Sequence, residues 1–421
     1  MNIKAPRGTA DILPDNVPAW KKIQSIAAET ARTFGFSEIR TPVFEHTELF
    51  EHGMGDTTDV VQKEMYTFLD KAERSITLRP EGTASAARAY IEHSLYAQPQ
   101  PTKLFYDIAC YRYEKPQAGR LREFHQFGVE IFGSAEPSVD AEIIALASTI
   151  FENIGIEGLS LNINSIGCPT CRKEYNKALT EYLSAHKETL CETCNRRLTQ
   201  NPMRIIDCKS PVCKEVAAGA PSILDYLCDE CAEHFDSVKG YLDKMGIKYE
   251  VDPSIVRGLD YYTRTVFEFV STQIGAQGTV CGGGRYDGLM EILGGPATPG
   301  MGFATGLERL LLVLDAQGKK TAEAAPPDIY VASIGQTESA LNLAYKLRKA
   351  GMYAECDHLS RSLKAQMKNA DRMNARYVIV LGEDEVTSGK AQLKNMSTKE
   401  QTDIDINNIE EIKNILTGED K

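Results

Sequence analysis

The stretch from Lys103 to Phe132 constrains the fold more than any other part of the chain. Two runs, Lys103 to Tyr113 and Arg122 to Phe132, are rich in aromatic and β-branched residues. They are joined by the polar segment Glu114-Lys115-Pro116-Gln117-Ala118-Gly119-Arg120. The pattern predicts a long antiparallel hairpin with a mobile, basic tip. Side chains alternate faces along a strand, so His125, Phe127, Val129 and Ile131 share one mostly apolar face that belongs to a core. Phe124, Gln126, Gly128, Glu130 and Phe132 share the other. Gln126 and Glu130 thus point the same way across a gap at Gly128. An amide and a carboxylate flanking a glycine can line a floor under a small polar ligand; a solvated outer face with an incidental glycine is the plainer alternative. Asn16 to Phe34 carries Trp20, Ile23, Ala27 and Ala31 at roughly helical spacing and predicts an amphipathic helix. Short β-rich stretches, Glu38 to Val43, Met65 to Leu69 and Ser75 to Leu78, add strands around the hairpin.

A chain of 421 residues predicts two or three domains. Its longest apolar runs, such as Leu310 to Leu314, are far too short to span a bilayer. The N-terminus has no apolar stretch of the signal-peptide kind, so a cytoplasmic protein with no membrane association is expected. The net charge of -12 argues against a general nucleic-acid binder, although local basic patches can still hold one. Eight of the 11 cysteines fall between Cys168 and Cys231. They form the pairs Cys168/Cys171, Cys191/Cys194, Cys208/Cys213 and Cys228/Cys231. In a chain without an export signal, clustered pairs favour metal over disulfides, and four pairs suffice for two Cys₄ zinc sites. Which pairs combine is open, and the zinc is expected to be structural and remote from any chemistry. Because Gly-rich, strand-like sequence resumes after Val251, the segment from about 166 to 240 reads as a small domain inserted into a larger one. Gly318 to Pro327 reads as a linker. Beyond it the order is β-α-β-α-β: Asp328–Ile334, Glu338–Ala350, Tyr353–Asp357, Leu363–Asn374 and Tyr377–Leu381. This predicts an α/β domain with a mostly parallel sheet.

Four further segments carry polar residues suited to chemistry. Arg79-Pro80-Glu81-Gly82-Thr83 precedes a helical run. Its carboxylate and hydroxyl can hold an ammonium group or simply start the helix. Arg112, Arg120 and Arg122 surround the hairpin tip, and arginines so grouped suit phosphates. Arg257-Gly258-Leu259-Asp260-Tyr261-Tyr262 leads into a strand. Cys281-Gly282-Gly283-Gly284-Arg285-Tyr286-Asp287-Gly288 places three glycines beside an arginine and a tyrosine, which allows close approach of backbone to a ligand or to other backbone. No G-x-x-x-x-G-K-[ST] phosphate loop occurs, so any ATP must be met by arginines. Gly300 to Arg309 is a Gly-rich strand entering a helix.

These motifs resemble those of the histidyl-tRNA synthetases, a family of class II, over essentially the whole chain. Pro42 is similar to the proline of the first class motif, which builds a dimer interface. The hairpin from Tyr106 to Phe132 resembles the second motif, and the stretch ending at Glu308-Arg309 the third. The runs beginning at Arg257 and Gly282 resemble motifs peculiar to the histidine enzymes. The resemblance implies an α+β fold. An antiparallel-sheet catalytic core would occupy residues 1–325 with the small insert at about 166–240, and an anticodon-binding α/β domain residues 326–421. It implies activation of L-histidine with ATP and Mg²⁺ and transfer to tRNA(His) by a homodimer. Glu81, Thr83 and Gln126 would hold the α-amino group. Glu130 and Tyr262 would hold the imidazole, with Tyr261 beside it. Arg112 and Arg257 would meet the α-phosphate, and Arg309 the distal phosphates. The hairpin tip would meet the acceptor end of the tRNA, and Lys364, Lys368 and Arg372 are candidate phosphate contacts in the second domain. The alternative is a non-catalytic paralogue that serves as regulatory subunit of ATP phosphoribosyltransferase.

Overall fold

The computed structural model describes residues 3–55, 58–257, 259–275, 278–319 and 322–418. Gly258 of the Arg257 run and positions 320 and 321 of the expected linker lie outside the described residues. The chain divides into two compact units, Met1–Glu323 and Ala324–Lys421.

The first unit is built on an eight-stranded sheet. Its strands are β1 (Ser37–Glu38), β2 (Thr102–Tyr111), β3 (Glu123–Phe132), β4 (Leu159–Ser165), β5 (Glu250–Val251), β6 (Thr263–Ser271), β7 (Thr279–Arg285) and β8 (Gly300–Gly306). Their spatial order is β1-β2-β3-β8-β7-β6-β4-β5. Only the outermost pairings are parallel; every interior pairing is antiparallel. The hairpin β2–β3 is as long as its sequence suggests, and its register sets Tyr106 opposite Gly128 and Leu104 opposite Glu130. A smaller three-stranded sheet holds Phe44–His46, Tyr66–Leu69 and Ser75–Leu78.

The pleat of the large sheet separates two environments. On one face Phe105, Phe127, Val129, Ile131, Phe267 and Phe303 are buried under helices. Those helices are α1 (Val17–Thr33), α3 (Pro137–Ile154), α7 (Asp229–Met245) and α8 (Leu307–Ala316). The apolar stripe of α1 that faces them is Ile23, Ala27 and Ala31, the 3.6-residue periodicity visible in the sequence. The other face carries Tyr106, Phe132, Val266 and Tyr286. It is flanked by α2 (Thr83–Glu92) and by the cysteine-rich insert with α4 (Pro169–Ala185), α5 (Glu192–Gln200) and α6 (Pro211–Ala218). Tyr175, Leu179, Leu183 and Leu198 of the insert join the same apolar cluster as Tyr262 and Val266. The expected end of the insert near residue 240 falls inside α7. Phe235, Val238 and Leu242 of that helix pack in the helix-side core, so α7 belongs to the main body of the unit.

The second unit has five strands, β9 (Ile329–Ser333), β10 (Ala354–Cys356), β11 (Tyr377–Leu381), β12 (Lys390–Asn395) and β13 (Gln401–Asp405). Helices α9 (Thr337–Lys349), α10 (Leu363–Arg372) and α11 (Ile409–Thr417) accompany them. β9 pairs in parallel with β10 and β11, but β12 and β13 extend the sheet antiparallel. The sheet is therefore mixed rather than mostly parallel. The two added strands carry Lys, Gln, Asp and Thr with few apolar residues, since their outer side faces solvent.

The space over Gly128 is filled by the Tyr106 ring, and a methyl group at residue 128 would overlap it. The gap between Gln126 and Glu130 is thus a seat for protein rather than an open floor. Gly128→Ala is expected to destabilise the first unit by about 1–3 kcal/mol, the range for overpacking a fixed core. Urea denaturation would measure it, and Gly128→Ala/Tyr106→Leu should recover part of the loss. A Gly128→Ala protein as stable as its parent would mean that the ring does not lie over residue 128.

Candidate active site

A cavity of about 980 Å³ opens on the face of the large sheet away from the helix-side core. Strand register explains its shape. Residues paired across neighbouring strands point to the same side, so Tyr106, Gly128, Ala304, Gly282 and Glu268 form one row across β2, β3, β8, β7 and β6. The middle of this row has almost no side chain. Tyr106 lies over Gly128 from one end, and Arg257 lies over Gly282 from the other, where a Cβ would strike its guanidinium. Glu268 receives that guanidinium in an ion pair, and Thr279 donates its hydroxyl to the second Glu268 oxygen at 2.9 Å.

Part of the cavity wall is cationic. Arg112, Arg120, Arg257 and Arg309 all line it. Arg112 donates Nε to the Pro80 carbonyl at 2.8 Å and lies 5.3 Å from the Phe124 ring centroid. Arg309, in the first turn of α8, donates to the carbonyls of Gly119 at 3.0 Å and Thr279 at 2.6 Å. The hairpin tip is thereby tied down, and Arg120 is further paired with Glu114. Burial first, then the nearby Arg120 and Arg112, lower the Arg309 pKa. Guanidiniums that repel one another in a partly buried site form a strong attractor for anions.

Another part of the wall is aromatic and acidic. Glu81, Thr83, Gln126, Tyr261, Tyr262 and Tyr286 line it. The Glu81 carboxylate accepts the backbone N–H groups of Thr83 at 2.6 Å and Ala84 at 2.8 Å. It therefore caps α2 while also facing the cavity, so the two sequence readings of this segment describe one residue. Burial raises its pKa, and the two N–H groups work against that rise. Tyr261 and Tyr262 pack with ring centroids 4.6 Å apart. Glu130 is wholly buried and is not itself part of the lining. Its carboxyl fills the space that a Gly302 side chain would take, directly behind the cavity wall. Tyr106 donates to one oxygen at 2.9 Å and Tyr286 to the other. Burial pushes the Glu130 pKa up to about 8, although the hydroxyls of Tyr286, Thr83 and Tyr106 oppose the rise.

Tyr106, Tyr286 and Glu268 are the residues that the sequence reading did not assign. Glu268 had a usable signal, since it is the single charge in the apolar run Val266 to Val270. Tyr106 had none before the register with Gly128 was known. Arg285, in the same Gly-rich run as Tyr286, turns away from the cavity. It is fully buried and paired with Asp140 of α3, and it donates to the carbonyls of Ser134 and Glu136. His234 of α7 holds the other Asp140 oxygen at 2.8 Å. Burial alone would raise the Asp140 pKa, but Arg285 and His234 bring it below the usual carboxylate value.

The eight clustered cysteines gather into two sets, Cys168/Cys171/Cys228/Cys231 and Cys191/Cys194/Cys208/Cys213, whose sulfurs lie within 4.8 Å of one another. None of them forms a disulfide. The Cys191 thiol is held down to about 7, first by the backbone N–H of Cys194. The second set is not remote from the cavity. Cys208 and its neighbours Ile206, Asp207 and Lys209 form part of the wall.

Comparison with known proteins gives a consistent result. The family model "Histidyl-tRNA synthetase" matches residues 8–310, and "Anticodon binding domain" matches residues 328–414. A histidine–tRNA ligase of Acetivibrio thermocellus is 58% identical over 97% of this chain and 99% of its own. The crystal structure of the apo histidyl-tRNA synthetase of Staphylococcus aureus superposes with a TM-score of 0.83 at 41% identity, covering 98% of this chain and 99% of that one. A Bacillus halodurans protein described as an ATP phosphoribosyltransferase regulatory subunit/histidyl-tRNA synthetase shares the fold. Its TM-score is 0.66 at 22% identity, over 91% of this chain and 99% of that one.

The buried Glu130 gives a pH signature. An acid whose pKa rises on folding keeps its proton where the unfolded chain has lost it. Its contribution to stability is complete below the unfolded value of 4.5 and fades as pH rises through about 8. The stability of the parent relative to Glu130→Gln, which does not titrate, should therefore fall between pH 5 and pH 8.5. Urea denaturation of both proteins at several pH values would test it. A constant difference would mean that Glu130 is ionised throughout.

Proposed function

The chain belongs to the histidyl-tRNA synthetase family, and from that premise we propose that this cavity activates histidine with ATP and passes it to tRNA(His). The chain acts as a histidine–tRNA ligase; the regulatory-subunit reading is not favoured, because the relatives that match it at high identity over their whole length are ligases. The observation that carries the assignment of the site is the meeting of two sets of residues in one cavity. Arg112, Arg257 and Arg309 line it together with Glu81, Thr83, Gln126, Tyr261 and Tyr262.

ATP lies against the arginines. Arg112 and Arg257 meet the α-phosphate, and Arg309 meets the distal phosphates. Mg²⁺ enters with ATP as part of the substrate. Glu81, Thr83 and Gln126 receive the α-ammonium group of histidine. The imidazole meets the Tyr262 hydroxyl and, at the wall formed by Gly302, the Glu130 carboxyl; Tyr261 packs beside it. A carboxylate oxygen of histidine attacks the α-phosphorus, the bond to the β-phosphate oxygen breaks, and pyrophosphate leaves. No side-chain nucleophile takes part. The arginines stabilise charge that builds on the phosphorus oxygens, in a site already organised for it. A hydroxyl of the terminal ribose of the tRNA then attacks the activated carbonyl and AMP departs.

The rest of the chain supplies the partners' surfaces. The hairpin tip, Glu114 to Arg120, faces the acceptor end of the tRNA. The second unit reads the anticodon, with exposed Lys364, Lys368 and Arg372 along α10 offering phosphate contacts. The strand region around Pro42 forms a homodimer interface. The enzyme works in the cytoplasm, where its thiols stay reduced; no described helix is long and apolar enough to cross a membrane. The two cysteine sets fit zinc. A tetrahedral ion with Zn–S bonds of ~2.3 Å separates its sulfurs by ~3.8 Å, and the observed separations include 3.6 Å for Cys168–Cys171 and 3.9 Å for Cys191–Cys208. Backbone N–H groups of Cys228 and Cys191 point at the sulfurs of Cys171 and Cys213, which suits thiolates. Such ions lock the insert and supply no step of the reaction.

Exchange of labelled pyrophosphate into ATP should depend on histidine and on no other amino acid. Arg257→Ala should slow it by roughly 10²–10³-fold, the usual effect of removing one charge-stabilising donor. Histidine binding without exchange would overturn the ligase reading of this cavity. Elemental analysis of protein purified without chelator should find about two zinc ions per chain. Metal-free protein with eight freely titrating cluster thiols and unchanged stability would remove zinc from the account.

A further inference from the structure

The cysteine-rich insert grips the Arg257–Tyr262 run at both ends. Arg172, in the first turn of α4, donates Nη1 to the Tyr262 carbonyl at 3.2 Å. Arg204, in the short turn Pro202–Ile205, donates Nη1 to the Arg257 carbonyl at 3.2 Å. Between these two anchors, Asn201 donates its amide to Asp260 at 2.9 Å. A second cavity of about 320 Å³ separates the insert from the run and is lined by both arginines, Leu259 and Tyr262. These directional bonds add to the apolar cluster that the run shares with the insert. Each anchor also sits beside a cysteine set. Arg172 directly follows Cys171, and Arg204 lies four residues before Cys208.

We propose that Arg172 and Arg204 are positioning residues for the reaction, each acting through one end of this run, and that metal in the cysteine sets fixes where they stand. The proposal rests on the reading that the main cavity takes histidine and ATP. Arg172 fixes the main chain of Tyr262, whose hydroxyl meets the imidazole. Arg204 fixes the main chain of Arg257, whose guanidinium meets the reacting phosphate. A guanidinium bound to a carbonyl is a charge-assisted hydrogen bond, stronger than the peptide–water bond that replaces it when it is lost. The insert acts on catalysis from outside, by holding two residues in place.

The two ends predict different kinetics. In pyrophosphate exchange, Arg172→Ala should raise the KM for histidine by roughly tenfold and leave kcat and the KM for ATP within about twofold. Arg204→Ala should lower kcat by roughly tenfold and leave both KM values within about threefold. Arg172→Lys and Arg204→Lys keep a charged donor and should recover most of each loss. Simple loss of fold would instead lower the active fraction in all four variants, with unchanged KM values and a lower melting temperature. That result, or equal kinetics in variants and parent, would overturn the proposal. Failure of the parent to bind histidine by calorimetry would instead overturn the reading of the cavity. Dialysis against a chelator should weaken histidine binding by the parent roughly tenfold, with the far-UV circular dichroism retained. Unchanged affinity after proven metal loss would overturn the part assigned to the cysteine sets.

Discussion

The site depends on large side chains lying flat over glycines. Tyr106 needs Gly82 and Gly128, Arg257 needs Gly282, and the Glu130 carboxyl needs Gly302. Each glycine removes the side chain that would otherwise keep neighbouring strands' residues apart. An arginine and a carboxyl can then reach across the sheet without any change in its pleat. The arrangement also keeps the two faces independent. Val129 and Phe303 pack among apolar residues on the helix side, while their sequence neighbours Gly128 and Gly302 serve the cavity. The alternation of a strand thus allows a dense core and an open polar site to share one backbone.

A glycine-rich strand has little side chain with which to hold its own place. β7 contributes Gly282, Gly283 and Gly284 in succession, and its anchor is Arg285 at the end. That guanidinium is buried against Asp140, two backbone carbonyls and Asp287. Through His234 the same Asp140 reaches α7, so strand, α3 and α7 share one ionic joint. A buried ion pair of this kind adds little net stability compared with apolar packing, yet breaking one partner strands a charge. Its value here is placement. The directional bonds of Arg285 set the end of β7, which apolar contacts around a run of glycines could not do.

Much of this was legible in the sequence, and the failures have physical causes. The hairpin stood out because two runs rich in aromatic and β-branched residues flank a short polar stretch, and the strands end within two residues of where those runs place them. The family resemblance rested on runs whose residues do gather in one cavity. Tyr106 escaped notice because its place depends on register, which one strand alone does not encode. Glu130 shares its face with Gln126 as alternation predicts, but its carboxyl lies behind Gly302 rather than in the lining, since alternation gives the face of a side chain but not its depth. The two strands β12 and β13 were missed because strands with a solvated face and few apolar residues lack the apolar run that marks β9 and β11. The end of the insert was misplaced because the cysteines Cys228 and Cys231 sit at the start of α7, whose later turns serve another core. The expected remoteness of the cysteines failed for a similar reason: spacing reveals partners in a cluster but not what lies beside it.

The two cysteine sets are nested. Cys191 to Cys213 lies wholly inside the span from Cys168 to Cys231. Nesting gives assembly a natural order. A flexible loop roughly three times longer costs about 1 kcal/mol more entropy to close, so the inner set gathers first. Once it has, it shortcuts the chain between the outer pairs, and the outer loop becomes easier to close than it was. During synthesis the inner cysteines also leave the ribosome before Cys228 and Cys231, so the order favoured by entropy is the order in which the chain is made.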